Sequence, residues 1–300
     1  MKKKWVTMGA VFGIGAVMLT ASGLSAMAST SGYEAYKSAV KNVHSAASMT
    51  TGGTITVTDN GRTVLSADLT AKINHDRDAM SAAVTVGDGS EEHTMNMYRQ
   101  DGQIILDDGK SGVYKRIETG GEHWKKDGGQ HVGPPAHAER IIDALMGSLK
   151  DLATVEATAD GGKLASLHLS GSQIPAVANA VGSLFVSNMS NGEHGAHWGG
   201  EAAQNPMHPN WTANWPKLTD QISVEQIELD ADINPSNYLE RQEAEIVITG
   251  KDESGASHEV VITVDVDLSG FNETVPDAID LTGKQVETIR NEENGPPWAH

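Results

Sequence analysis

Apolar and polar residues alternate with period two along most of the chain. The clearest run is residues 65–73, where Leu65, Ala67, Leu69, Ala71 and Ile73 point one way while Ser66, Asp68, Thr70 and Lys72 point the other. Such alternation is the mark of a strand with one dry and one wet face, in an antiparallel sheet that water reaches from one side. Residues 227–234, Ile-Glu-Leu-Asp-Ala-Asp-Ile-Asn, echo residues 67–74, Ala-Asp-Leu-Thr-Ala-Lys-Ile-Asn, with Leu69/Leu229, Ala71/Ala231, Ile73/Ile233 and Asn74/Asn234 in agreement. The aspartates of the second copy are threonine and lysine in the first. What the copies share is therefore their apolar side, and the repeat is architectural: two strands lining one face.

Between residues 52 and 118 the turn signals Asp59-Asn60-Gly61, residues 74–78, Gly87-Asp88-Gly89, Asp101-Gly102 and residues 107–112 divide the chain into six strands. Residues 154–158 and 163–169 predict a hairpin across Asp160-Gly161-Gly162, and three more strands fall between residues 222 and 269. In the last of them Val260, Ile262, Val264, Val266 and Leu268 alternate with Val261, Thr263, Asp265 and Asp267. The period changes to three and four in three places, which predicts three helices. The first covers residues 33–47 with Tyr33, Tyr36, Val40, Val43 and Ala47. The second covers 138–152 with Ile141, Ile142, Leu145, Met146, Leu149 and Leu152. The third opens at Ser172 and Pro175 and carries Val177, Val181, Leu184 and Phe185.

Two stretches follow neither period. Residues 119–137 and 189–217 are long loops rich in Gly, Pro, Asn, His and Trp. Five tryptophans, Trp124, Trp198, Trp211, Trp215 and Trp298, fall outside the predicted elements; of these Trp124, Trp211 and Trp215 are candidates to cap the mouth of a cavity, the alternative being that they fold back as local hydrophobic pins. His194-Gly-Ala-His197 with His208 beyond it is a candidate set of zinc, nickel or copper ligands, weighed against the tendency of polar loops to collect histidine. The outward acids Asp230, Asp232, Asp265 and Asp267 have the spacing of a wet strand face, a simpler account than calcium.

The start of the chain, three lysines, an apolar run over residues 5–19 and then Ala26-Met27-Ala28, has the parts of a secretory signal peptide ending at residue 28, in preference to an uncleaved anchor. No cysteine is present, which excludes disulfides, thiol chemistry and a lipid-bearing cysteine. Removing the three signal lysines leaves 19 basic against 40 acidic residues, a net charge near −21. That surface repels nucleic acid and anionic lipid. There is no Gly-x-Ser-x-Gly elbow, His-Glu-x-x-His, phosphate loop or dinucleotide fingerprint, so no enzyme class, catalytic residue or cofactor is indicated.

The element order, helix, six strands, helix, two strands, helix, three strands, resembles that of the LolA-type lipoprotein carriers and their LppX- and LprG-like relatives. The segment Val-Asp-Leu-Ser-Gly-Phe-Asn-Glu-Thr-Val-Pro-Asp-Ala-Ile-Asp over residues 266–280 is similar to the last strand and exit of secreted members. The resemblance implies an α+β fold: one strongly curved antiparallel sheet of about eleven strands, an unclosed half barrel, with three helices in or across its concave face. It would occupy residues 29–290 as a single domain, followed by a disordered tail at 291–300. It also implies a lipid-like or otherwise apolar ligand held without catalysis at the cell envelope. The face carrying Leu69, Ala71, Ile73, Leu229, Ala231 and Ile233 would be its wall. Alternatives from the residues themselves are an envelope interaction protein whose helices fill the cavity, and an extracytoplasmic metal binder.

Overall fold

The computed structural model describes residues 32–89, 91–118, 149, 151–180, 182 and 215–289. The expected signal segment, most of the second predicted helix, the first long loop, most of the second and the tail lie outside these residues.

Helix α1 (Gly32–Ser45) buries Tyr33, Tyr36, Ala39, Val40 and Val43, the three-and-four spacing seen in the sequence. The strands are β1 (Ser48–Asp59), β2 (Arg62–Asn74), β3 (Ala79–Gly87), β4 (Glu92–Gln100), β5 (Gln103–Asp107), β6 (Val113–Glu118), β7 (Thr154–Ala157), β8 (Lys163–Ser170), β9 (Asp220–Ile233), β10 (Leu239–Lys251), β11 (Ser257–Ser269) and β12 (Gln285–Ile289). All twelve form one unclosed sheet in the order β12-β6-β5-β4-β3-β2-β1-β11-β10-β9-β8-β7.

The eleven predicted strands are present and the twelfth is a correction. Residues 285–289 are too short to show a period, and β12 pairs with β6 in parallel, the one departure from antiparallel pairing among the described residues. The helix count is corrected too: among the described residues α1 and a 3-10 helix, Gly171–Gln173, are the complete helical elements. Of the third predicted helix, residues 176–180 are helical, and Ala178 N donates to Pro175 O at 2.9 Å as its first turn closes.

Two meanders, β1–β6 and β8–β11, meet along the β1/β11 seam, where ten residue pairs run from Thr50/Ser269 to Asp59/Val260. Gly53 lies on this seam because the strands approach closely: a Cβ there would sit 2.9 Å from Asp265 O. One buried apolar cluster joins α1 to the β1, β2, β3, β8, β9, β10 and β11 residues of one sheet face.

Candidate ligand-binding face

The repeat strands β2 and β9 run in the same direction with β1, β11 and β10 between them. Cross-strand pairing links Leu69, Gly53, Val266, Gln242, Ala231 and Ala165 into a single row. Side chains in one row share a face. A second row joins Ala67, Ile55, Val264, Ala244 and Leu229. Leu69 thus stands level with Ala231 rather than with its repeat partner Leu229; the offset is two residues, which leaves the apolar side of both copies on the same face. Leu69, Ala71, Ala231 and Ile233 are buried there, and Ile73 and Leu229 are half-buried.

This face has two differently furnished parts. Over β7–β10 it is covered by α1. Ala39 and Ala231 have no exposed surface, and Val40 is 2% exposed. Within this apolar contact sits one polar pair: Tyr36 Oη donates to Gln242 Oε1 at 2.7 Å. Burial pushes the Tyr36 phenol well above its usual pKa, which keeps it a neutral donor near neutral pH. Over β1–β4 the floor mixes small side chains, Gly53, Ala67, Ala71 and Ala82, with the larger Ile55, Leu69, Val84 and Val86, and four methionines are among the half-buried positions around it. Met49 and Met80 both pair with Ile73, Met95 pairs with Val84, and Met97 with Ala82, so all four thioethers belong to the apolar face.

Of the tryptophans expected at a cavity mouth, Trp124 and Trp211 lie outside the described residues. Trp215 is 5% exposed and joins Leu218 in the buried cluster. Leu218 lies against Gly250 of β10, where a Cβ would come within 3.0 Å of Leu218 Cδ1. Thr219 N donates to Lys251 O at 2.8 Å, so residues 215–219 are fixed to the end of β10. The histidines expected to ligate metal, His194, His197 and His208, lie outside the described residues. Among the described residues no group of three or more His, Asp or Glu is placed to hold a metal ion.

The opposite face is polar and is also divided. Over β9–β11 it carries Asp230, Glu243 and Asp265 in one row and Asp232, Arg241 and Asp267 in the next. Arg241 turns to the first row, donating to both oxygens of Asp265, at 3.2 and 2.7 Å, and to Glu243 at 2.8 Å. Its guanidinium pKa is raised by the hydrogen bonds and charge of these partners. A cleft of about 490 Å³ beside these rows is lined by Thr158, Asp160, Lys163, Asp232, Arg241 and Asp267 among others, a polar wall unsuited to an apolar ligand.

Over β1–β4 the polar face is crossed by a strap, residues 270–284. It leaves β11 at Gly270, whose φ of +61° suits glycine, and then follows one cross-strand row. Thr274 Oγ1 meets Thr50 Oγ1 at 3.0 Å, Lys72 Nζ donates to Asp277 at 2.9 Å, and Asp277 N donates to Ser81 Oγ at 3.0 Å. Ile279 and Gln100 exchange two hydrogen bonds of 2.8 and 2.9 Å before Lys284 reaches the Tyr114 ring and β12 pairs with β6.

Sequence reasoning missed three features. Gln242 was accessible to it, since Glu243 and Glu245 on the wet face of β10 put Gln242 on the dry one. The methionines carried no signal until pairing assigned them a face. The third is a half-buried ion cluster where β1 ends and β11 begins. No family model matches the chain, and no curated protein matches it. No helix among the described residues is long and apolar enough to cross a membrane.

Proposed function

We propose that the chain is an exported, non-enzymatic binding protein that sequesters, carries or senses a lipid-like or otherwise apolar ligand on the apolar face of its sheet, at the cell envelope. The observation that carries this reading is the contrast within that face. The β7–β10 part is closed by α1, whereas the β1–β4 part sets glycine and alanines among larger aliphatic side chains and borders them with four half-buried methionines. Unbranched thioether side chains reshape at little cost and suit a ligand of variable form. The LolA-like element order supports the same reading, and a half barrel curved around this face would supply the concavity.

Mass spectrometry of an organic extract of the purified protein tests it, together with titration by a fluorescent acyl probe. A co-purifying apolar compound and saturable probe binding are expected, and Ala82→Phe, which fills the floor between Met97 and Ala71, is expected to weaken probe binding at least tenfold. An empty extract together with no probe binding by the wild type would defeat the proposal.

A second reading, an envelope interaction protein without a small ligand, is favoured by the sealed contact under α1, where Ala39 and Ala231 leave no room for anything else.

A further inference from the structure

At the end of the sheet nearest residues 215–219, His258 opens β11 between two carboxylates. Its Nδ1 lies 2.9 Å from both oxygens of Asp59, the last residue of β1, and its Nε2 lies 3.5 Å from Asp252 Oδ2 in the β10–β11 turn. The three side chains are 16%, 19% and 29% exposed. Nε2 is sealed from solvent and Asp252 lies beyond ideal hydrogen-bond geometry, so the Asp252 limb is the looser of the two.

The two limbs are anchored differently. Asp59 is tied to β11 by its neighbour Asn60, whose N donates to Glu259 O at 2.9 Å and whose Oδ1 accepts from Glu259 N at 3.0 Å. Asp252 organises only its own turn: its Oδ1 accepts from Ser254 N, Ser254 Oγ and Ala256 N at 2.9, 2.7 and 2.9 Å. That turn follows directly on Lys251, whose carbonyl holds Thr219 and with it the Trp215 and Leu218 cover.

We propose that Asp59, His258 and Asp252 form a proton-operated latch that holds the β10–β11 turn, and through it the cover formed by residues 215–219, against the end of the apolar face. With the imidazole protonated, both carboxylates attract it. Loss of the proton leaves Nδ1–H on Asp59 and turns the Nε2 lone pair toward the Asp252 carboxylate, so the first limb stays and the second reverses sign. Burial alone would lower the His258 pKa; the hydrogen bond and charge of Asp59, reinforced by Asp252, outweigh it and raise the value above the ordinary 6.5. A raised value in the folded state means that the stabilisation is fully present below about pH 6.5 and is lost as pH rises through the raised value. Other charged residues lie on the elements around the cluster: Arg62 opposite Asp59, Lys251 at the end of β10, Glu253 in the turn and Glu259 on β11. Among the described residues the imidazole's ion pairs are with Asp59 and Asp252 alone. Where an apolar ligand occupies the face, as proposed above, the latch makes its access pH-dependent; only that consequence rests on the binding reading.

Hydrogen exchange of the wild type, His258→Gln and Asp252→Asn between pH 5.5 and 9, corrected for intrinsic rates, tests the latch. In the wild type, protection of amides in residues 217–219 and 252–256 is expected to fall about tenfold per pH unit by which the His258 value is raised. The step should vanish in both variants, while Asp252→Asn keeps the Glu259 amide protected. An equal step in His258→Gln, or no step in the wild type, overturns the latch. An NMR titration of wild-type His258, which needs no variant to fold, overturns it if the imidazole titrates at or below 6.5. Acyl-probe binding across the same range separates the two proposals: a protection step without probe binding at any pH supports the latch and removes the ligand.

Discussion

Among the described residues, the two parts of the sheet carry different covers on opposite faces, by opposite means. Over β7–β10 the apolar face carries α1, a helix that meets the sheet through Ala39, Val40 and Val43 and contributes by excluding water. Over β1–β4 the polar face carries the strap, an extended segment that meets the sheet through hydroxyls and an ion pair along the Thr50, Lys72 and Ser81 row and then through the Gln100 amide beside it. The helix is specified by shape and area and tolerates sliding poorly because the small residues must face the sheet. The strap is specified by register, since each of its contacts is set by the strand beneath. A sheet made of two meanders joined at one seam thus carries, among the described residues, a helix on its apolar face at one end and a strap on its polar face at the other.

Substitutions separate the two modes of cover. Val40→Asp places an unpaired carboxylate in the sealed α1 contact, and a loss of several kcal/mol, enough to unfold a marginal domain, is expected in denaturant melts. A wild-type-like melt would mean that α1 is dispensable to the sheet. Gln242→Leu leaves the Tyr36 hydroxyl buried without its acceptor and is expected to cost about 1–3 kcal/mol, most of it recovered in the Tyr36→Phe/Gln242→Leu double variant. Additive losses would show that the pair is not one unit. Gly270→Ala strains the strap where it leaves β11, because φ is +61° and a Cβ would meet Thr274 Oγ1. A cost of about 1–2 kcal/mol is expected, with raised exchange confined to the strap and β12. The smallest effect is expected from Lys72→Ala. Its partner Asp277 is 63% exposed, so the loss should be below about 1 kcal/mol and shrink further in salt.

The alternation of β2 and β11 made the strands and their dry side legible, because a period of two needs no partner to be read. The helix α1 was legible for the same reason at its own period. β12 was not: Gln285–Ile289 acquires its identity from β6, far back in the chain, and parallel pairing leaves no hairpin turn to announce it. The candidate face was legible as a set of residues, Leu69, Ala71, Ile73, Leu229, Ala231 and Ile233, but its division was not. Which part α1 covers, and that Met49, Met80, Met95 and Met97 surround the other, follows from pairing between strands that are distant in sequence. The Tyr36–Gln242 bond, like the ion cluster at His258, joins residues that no local pattern relates.

The β1/β11 seam sets a timetable for the whole molecule. β1 is among the first strands to be made and one of its neighbours, β2, follows at once, yet its other neighbour is Ser257–Ser269. Throughout the synthesis of everything between them, one edge of β1 stands without a partner, including the Thr54–Val57 stretch that finally faces Ile262 and Val264. The first meander can gather early, but its open edge is a place for errant pairing until the last long strand arrives. Folding of this chain should therefore be slow and limited by that single late closure.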